Sequence, residues 1–364
     1  MQRFFKFPYY PFLLCLILLL VASFYAIYSA TYALNLEYFM TRQSIFIAAG
    51  LIVFMLVAIT PKHFFKDFAP ILYLINLMTL FSLNILQWLN IIDQPARWIE
   101  IAGITFQPSE LMKITLILML AWIFAQKHWS SWQHLFFSGI ATALPVLFIV
   151  LQPDLGTAAI LVGIFVVMCF LSRLGIGHII FIGLAGVGLF YSLRNYVLYD
   201  YQIERLRTFL NPSLDPLGEG WSINQALIAI GSGGLQGKGF LQGTQSKMGF
   251  LPDTQYSDFI FAVIGEEWGF LGGVSLILVF MIFLGICLFI LTKTTNYFFR
   301  LVIWGMVSYW FMQFMLNVGM NIGLLPVTGV PLPFISYGGT SLLANLIGAG
   351  ILYHIHLHQK TITY

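Results

Sequence analysis

The chain has 364 residues, 59% of them hydrophobic and only 9% charged, with a net charge of +3. Soluble domains carry roughly 25% charged residues, so a water-soluble enzyme is excluded, and nothing in the charge points to nucleic acid. Apolar stretches of about 20 residues recur along the chain and run continuously rather than alternating, which selects membrane-spanning helices over a barrel.

Ten spans are predicted, at about 11–31, 44–60, 69–90, 108–126, 135–151, 156–172, 178–194, 259–292, 298–318 and 340–357. The expected fold is an all-α polytopic membrane protein forming a single domain over residues 1–364. Arg3 and Lys6 precede the first run, as in a signal peptide, but its length and the spans that follow make it an uncleaved first helix. Placing the N-terminus inside puts Arg3, Lys6, Lys62, Lys66, Lys127, Arg173, Lys293, Arg300 and Lys360 on the cytoplasmic side. Only Arg42 and Arg97 then fall in short outer loops, so both termini are expected to be cytoplasmic. Cys15, Cys169 and Cys287 lie inside apolar runs and imply no disulfide framework.

Arg97 and Trp98 sit just outside the fourth span, where a Trp is also ordinary interfacial material. Pro108 suits the first turn of a helix after Gln107. Glu110 and Lys113, three apart on one face of that span, form either a buried structural pair or a pair lining a cavity. Asp154, in "LQPDLGTA", marks another outer boundary, with a helix-end role as the simpler reading.

Residues 195–258 form one long extracytoplasmic loop between spans seven and eight. A loop of that length in a compact protein is usually functional. Within it Arg205 and Arg207 have the forked geometry that suits a phosphate, or else pair with Glu204 or Asp215. "SINQALIAIGSGG" is predicted as a short amphipathic helix closed by glycine. "GSGGLQGKGFLQGTQSK" fits no phosphate-loop pattern, since Ser232 and Gly239 stand where that pattern needs Gly and Ser or Thr. Its glycines are expected to permit close backbone approach, with Lys238 and Lys247 available for anions.

Asp258 stands where this loop re-enters the membrane, either as a helix cap or as a general base. Glu266 and Glu267 follow two turns on, too deep for lipid-facing acids, so they pair with cations or line a polar cavity. "LLPVTGVPLPFISYGGTS", which carries Ser336, is uncharged and broken by prolines, and reads as a re-entrant element lining a site. His354 and His358 at the tail are spaced for a metal, but a wet helix end is the simpler reading; no motif demands a metal site.

Six blocks, "FQPSE", "QPDLGT", "RTFLNPSLDPLGEG", "AIGSGGLQGKG", "DFIFAVIGEE" and "GVPLPFISYGG", resemble in content and order the SEDS proteins (shape, elongation, division and sporulation), on their RodA branch. The resemblance implies a peptidoglycan glycosyltransferase of the bacterial cytoplasmic membrane that polymerises lipid II on its extracytoplasmic face. It puts the family's essential aspartate on Asp258 and its fourth-span polar pair on Glu110 and Lys113. Arg205, Arg207, Lys113 and Lys238 become candidates for holding the departing undecaprenyl pyrophosphate. Arg97, Trp98, Asp154 and Ser336 become further substrate contacts. A class B penicillin-binding protein, a transpeptidase, is the implied partner within the membrane lipids; a divalent cation is compatible but not required. The chain departs from the family pattern at Tyr256 and at Ser257, where Thr is usual. Two rival readings use the same features: a flippase for lipid-linked precursors, and a non-catalytic scaffold for the transpeptidase.

Overall fold

The computed structural model describes residues 9–32, 37–89, 97–101, 104–172 and 218–358 continuously, with most positions from 174 to 188 and a few between 205 and 215. Arg3, Lys6, Arg173, Glu204 and Lys360 lie outside the described residues. The described chain is mostly helical, as its uninterrupted apolar runs require: in lipid only a helix satisfies every backbone group within its own segment. In order come α1 (Tyr9–Tyr32), α2 (Glu37–Ala58), α3 (Phe64–Trp88), a two-stranded hairpin of β1 (Ile99–Ile101) and β2 (Ile104–Phe106), α4 (Pro108–Phe124), α5 (Ser131–Leu151) and α6 (Leu155–Leu171). Then follow α7 (Glu219–Gly233), α8 (Thr244–Lys247), α9 (Ile260–Lys293), α10 (Tyr297–Asn321) and α11 (Gly339–Leu357). In the hairpin Ile99 faces Phe106 and Ile101 faces Ile104, antiparallel.

Among the described residues, seven helices, α1, α2, α3, α5, α9, α10 and α11, are long and apolar enough to cross a membrane. The chain is therefore a multi-pass membrane protein. The other expected spans are α4 and α6, both 17 residues long, and 178–194. Described positions of that last segment are helical up to Gly188; residues 189–194 lie outside the described residues, as does most of 195–217. The predicted start at Pro108 is observed. So is the short helix before the glycines: α7 ends at Gly233, and Gly234 follows at φ +56.

The chain divides into two compact units. One contains residues 54–199, 287–312 and 347–364. Here α4 is buried along almost its whole length, and α3 is tied to α5 by the Tyr73 hydroxyl donating to the Ala141 carbonyl at 2.8 Å.

The other unit contains residues 1–53, 200–286 and 313–346. Its organising feature is a break in α9 at Gly269, whose φ of +68 and ψ of −165 no helix permits. The break frees backbone groups that a membrane interior would leave unpaired at a cost of several kcal/mol each. The glycine-rich segment supplies their partners. The N–H groups of Lys238 and Gly239 donate to the carbonyls of Glu266 and Glu267, both at 3.0 Å. Phe270 and Leu271 donate to the carbonyls of Gly234 and Leu235 at 2.8 and 3.1 Å. Only glycine fits this approach: a Cβ on Gly237 would lie 2.1 Å from the Glu267 carbonyl oxygen. The expectation of close backbone contact is met, and the kink explains how a 34-residue helix is accommodated. The glycines also leave an apolar cavity of about 340 Å³ along the kink, lined by Gly231, Gly265, Gly269, Gly273, Val318 and Ile322.

Candidate active site

Asp258 lies in a turn ahead of α9, its N–H donating to the Thr254 carbonyl at 2.9 Å. It is half-buried. Its main chain is held by two asparagines one turn apart on α10. Asn317 and Asn321 each donate an amide hydrogen to the Asp258 carbonyl at 2.9 Å, and both side chains are fully buried. Asn321 also accepts through Oδ1 from the Ala262 N–H at 3.2 Å, a donor it shares with the Phe259 carbonyl at 3.0 Å.

The segment between α10 and α11 is irregular and largely buried, as predicted for a re-entrant element. Its backbone is satisfied by side chains from elsewhere in the unit. Asn317 donates to the Val330 carbonyl at 2.8 Å, Gln313 to that of Pro331 at 2.7 Å, and Ser23 to that of Ile335 at 2.7 Å. This segment closes on the Asp258 turn. The Ser336 hydroxyl donates to the Ser257 carbonyl at 2.5 Å and accepts from the Leu332 N–H at 2.7 Å. The Tyr337 N–H donates to the Tyr256 carbonyl at 2.9 Å. Gly329 (φ +66) passes beside the carboxylate: a Cβ there would sit 3.9 Å from Asp258 Oδ2. Ser336 is 4% exposed, so its observed task is to fasten the loop against Asp258.

Glu266 and Glu267 separate in role. Glu266 is fully buried; its Oε1 accepts from the Lys238 ammonium and the Thr244 N–H, both at 2.7 Å, and from the Gln245 N–H at 2.8 Å. Its Oε2 accepts from the Ser246 N–H at 3.2 Å. The carboxylate thus neutralises Lys238 and caps α8. Glu267 accepts from the Ser29 hydroxyl and from the N–H groups of Leu241 and Gly243. Lys238, expected to be available for an anion, is already engaged: its ammonium also donates to the Thr244 hydroxyl at 2.6 Å.

Arg205 donates to the Val327 carbonyl at 3.5 Å, which places it against the re-entrant segment, and Arg207 is exposed. In the second unit the Lys113 ammonium donates to Glu110 Oε1 at 2.8 Å, with side chains 0% and 4% exposed. The same ammonium lies 5.1 Å from the centre of the buried Tyr309 ring. Glu110 Oε2 is buried without a hydrogen-bond partner. Arg97 donates to the carbonyls of Gln152 and Pro153 at the end of α5. Trp98 is 47% exposed. Asp154 caps α6, accepting from the Thr157 N–H at 3.0 Å, and Gln107 reaches its other oxygen at 3.4 Å. The helix-end reading of Asp154 is the one its contacts show.

Asp258, Ser336, Arg205 and Lys238 therefore share one unit, and Glu110, Lys113, Arg97 and Asp154 the other. Sequence reasoning did not single out Asn317 or Asn321. The asparagines carried a signal: two amides at i, i+4 inside an apolar helix need internal partners.

The family model of the cell cycle proteins FtsW, RodA and SpoVE matches residues 7–361. The chain belongs to this family. The family membership read from six short blocks thus holds over nearly the whole length. The peptidoglycan glycosyltransferase MrdB of Escherichia coli (strain K12) is 37% identical over 358 residues, 96% of this chain and 94% of that protein. The peptidoglycan glycosyltransferase RodA of Treponema pallidum (strain Nichols) is 31% identical, covering 87% and 89%. Among solved structures, a chain of a peptidoglycan synthase complex that coordinates polymerization and crosslinking superposes with a TM-score of 0.81. It is 26% identical, over 97% of this chain and 98% of that one. The rod shape determining protein RodA of Thermus thermophilus superposes at 0.69, with 25% identity over 96% of each chain. In this FtsW–RodA–SpoVE member, two asparagines of α10 and the loop before α11 hold the turn that carries Asp258.

Proposed function

We propose that this protein is a peptidoglycan glycosyltransferase that polymerises lipid II into β-1,4-linked glycan for cell elongation and shape, with Asp258 as general base. The observation that carries the assignment is the fixing of Asp258: a half-buried residue whose backbone carbonyl is pinned by two buried amides and whose Oδ2 lies beside Gly329, where a Cβ would come within 3.9 Å. Such fixing holds a base at the geometry proton transfer needs. The acceptor sugar's 4-hydroxyl loses its proton to Asp258 as its oxygen attacks the donor's anomeric carbon. The bond to undecaprenyl pyrophosphate breaks on the opposite side, so the α-linked donor becomes a β-linked product. No covalent sugar–enzyme intermediate is required.

The leaving diphosphate needs cationic support. With Lys238 engaged by Glu266 and Lys113 by Glu110, that task falls to Arg207 and Arg205. The proposed topology has ten spans in one domain, both termini cytoplasmic and Asp258 at the outer face of the bacterial cytoplasmic membrane. A transpeptidase partner is supported by the likeness to a chain from a complex that couples polymerization with crosslinking.

The test is polymer synthesis from lipid II by the purified protein in detergent, where a flippase has nothing to transport. Asp258→Asn keeps the side-chain shape and is expected to lower the rate at least about 100-fold, the lower range of general-base contributions, without shifting the melting temperature. Wild-type yield from that variant would remove the base role.

A further inference from the structure

Three aromatic rings from three distant segments meet beside Asp258. Phe39 lies in the first turn of α2, Tyr256 stands two residues before Asp258, and Tyr337 closes the re-entrant segment. The rings of Phe39 and Tyr256 stack with centroids 4.3 Å apart and planes 27° from parallel. Tyr337 meets Phe39 edge-on at 4.9 Å and Tyr256 at 5.5 Å. All three are half-buried. Arg42, one turn along α2, hydrogen-bonds the Tyr337 phenol, and its guanidinium lies 4.1 Å from the centre of the Tyr38 ring.

The arrangement is fixed by backbone as well as by ring contacts. The Tyr337 N–H bond to the Tyr256 carbonyl locks two of the rings in register. Gly339 lets α2 approach: a Cβ there would fall 2.3 Å from the Phe46 ring. A membrane-boundary role asks of an aromatic only an amphipathic ring at headgroup level. That account gives no reason for three rings joined around the turn that holds a carboxylate. Burial, followed by the carboxylates of Asp253 and Asp258, raises the Tyr256 phenol above its ordinary pKa, so it stays a neutral hydrogen-bond donor.

An aromatic face offers a flat apolar wall to the C–H face of a pyranose, and phenol and guanidinium at its edge reach sugar hydroxyls or acidic substituents. We propose that Phe39, Tyr256 and Tyr337, with Arg42 at their rim, form the platform on which the acceptor's terminal sugar rests, holding its attacking hydroxyl against Asp258. This rests on the reading of Asp258 as the base. The platform positions; no bond forms or breaks on it.

The experiment follows initial polymerisation rate against lipid II concentration for the purified full-length protein. Phe39→Ala and Tyr256→Ala are each expected to raise KM about tenfold while kcat falls less than about threefold, the pattern of lost binding shared by ground and transition states. Tyr256→Phe restores most of the affinity lost in Tyr256→Ala, and Arg42→Gln raises KM about threefold. Size-exclusion profiles and thermal melting establish that the variants are folded. Phe39→Leu and Tyr256→Leu, which keep apolar bulk without a ring, replace any that are not. An unchanged KM in folded variants, or a loss confined to kcat, overturns the platform. Full activity of Asp258→Asn, or wild-type protein that makes no polymer, overturns the base instead.

Discussion

Glu266 is the side chain whose loss should loosen the segment around α8. In Glu266→Ala the Ser246 N–H is stranded, and Ser246 is 1% exposed. The Thr244 and Gln245 N–H groups lose their acceptor, but those residues are accessible enough to turn to water. Lys238, whose side chain is 23% exposed, also recovers part of its hydration. A stranded buried amide costs about 1–3 kcal/mol, and breaking a fully buried ion pair about 3–5 kcal/mol. The partial exposure of Lys238 places the expected loss where these ranges meet, near 3 kcal/mol. At 1.4 kcal/mol per decade that is roughly a 100-fold rise in local opening. Amide hydrogen exchange of the detergent-solubilised protein reads it directly. Exchange at residues 244–247 should accelerate roughly 100-fold while α5, in the other unit, is unchanged. Glu266→Gln retains one acceptor oxygen and should show about a tenfold effect. Unaltered exchange in Glu266→Ala would show that the carboxylate does not hold this segment.

The Glu110–Lys113 pair should behave as a unit. Either Glu110→Gln or Lys113→Met alone is expected to lower stability by about 3–5 kcal/mol, and the double variant by less than the worse single, because it leaves no lone buried charge; a double-mutant cycle of denaturation midpoints checks this. Gly237→Ala combines a φ of +80 with a backbone clash and should lower the melting temperature, by about 1–3 kcal/mol of strain, where Gly231→Ala, inside α7 with open space at its Cβ, should not lower it. Asn321→Leu removes an acceptor from the Ala262 N–H and a donor from the Asp258 carbonyl. It should cost about 1–3 kcal/mol in stability and slow polymer synthesis by at least about tenfold, and Asn317→Leu, which removes a donor from the Asp258 and the Val330 carbonyls, should cost about as much.

Much of the architecture was legible without coordinates because its cause is local. An apolar run of bilayer length becomes a helix whatever it packs against, and Pro108 and Gly234 act through their own backbone angles. Glu110 and Lys113 belong to the same class: three residues apart on one helix, they meet without help from any other element. The order of six short blocks carried the family.

The roles of the remaining polar residues depended on chain segments far away in sequence, and there the tertiary structure decided. Lys238 reads as an anion site until Glu266, 28 residues on, is found within 2.7 Å of it. Ser336 reads as a substrate contact until it is found bonded to Ser257, 79 residues back. Phe39, Tyr256 and Tyr337 lie far apart in sequence and become one cluster only when α2, the Asp258 turn and the loop before α11 converge. Bilayer solubility constrains composition segment by segment, so it is written along the chain. Hydrogen bonds and ring contacts constrain pairs of atoms, and which pairs meet is settled only by how the helices pack.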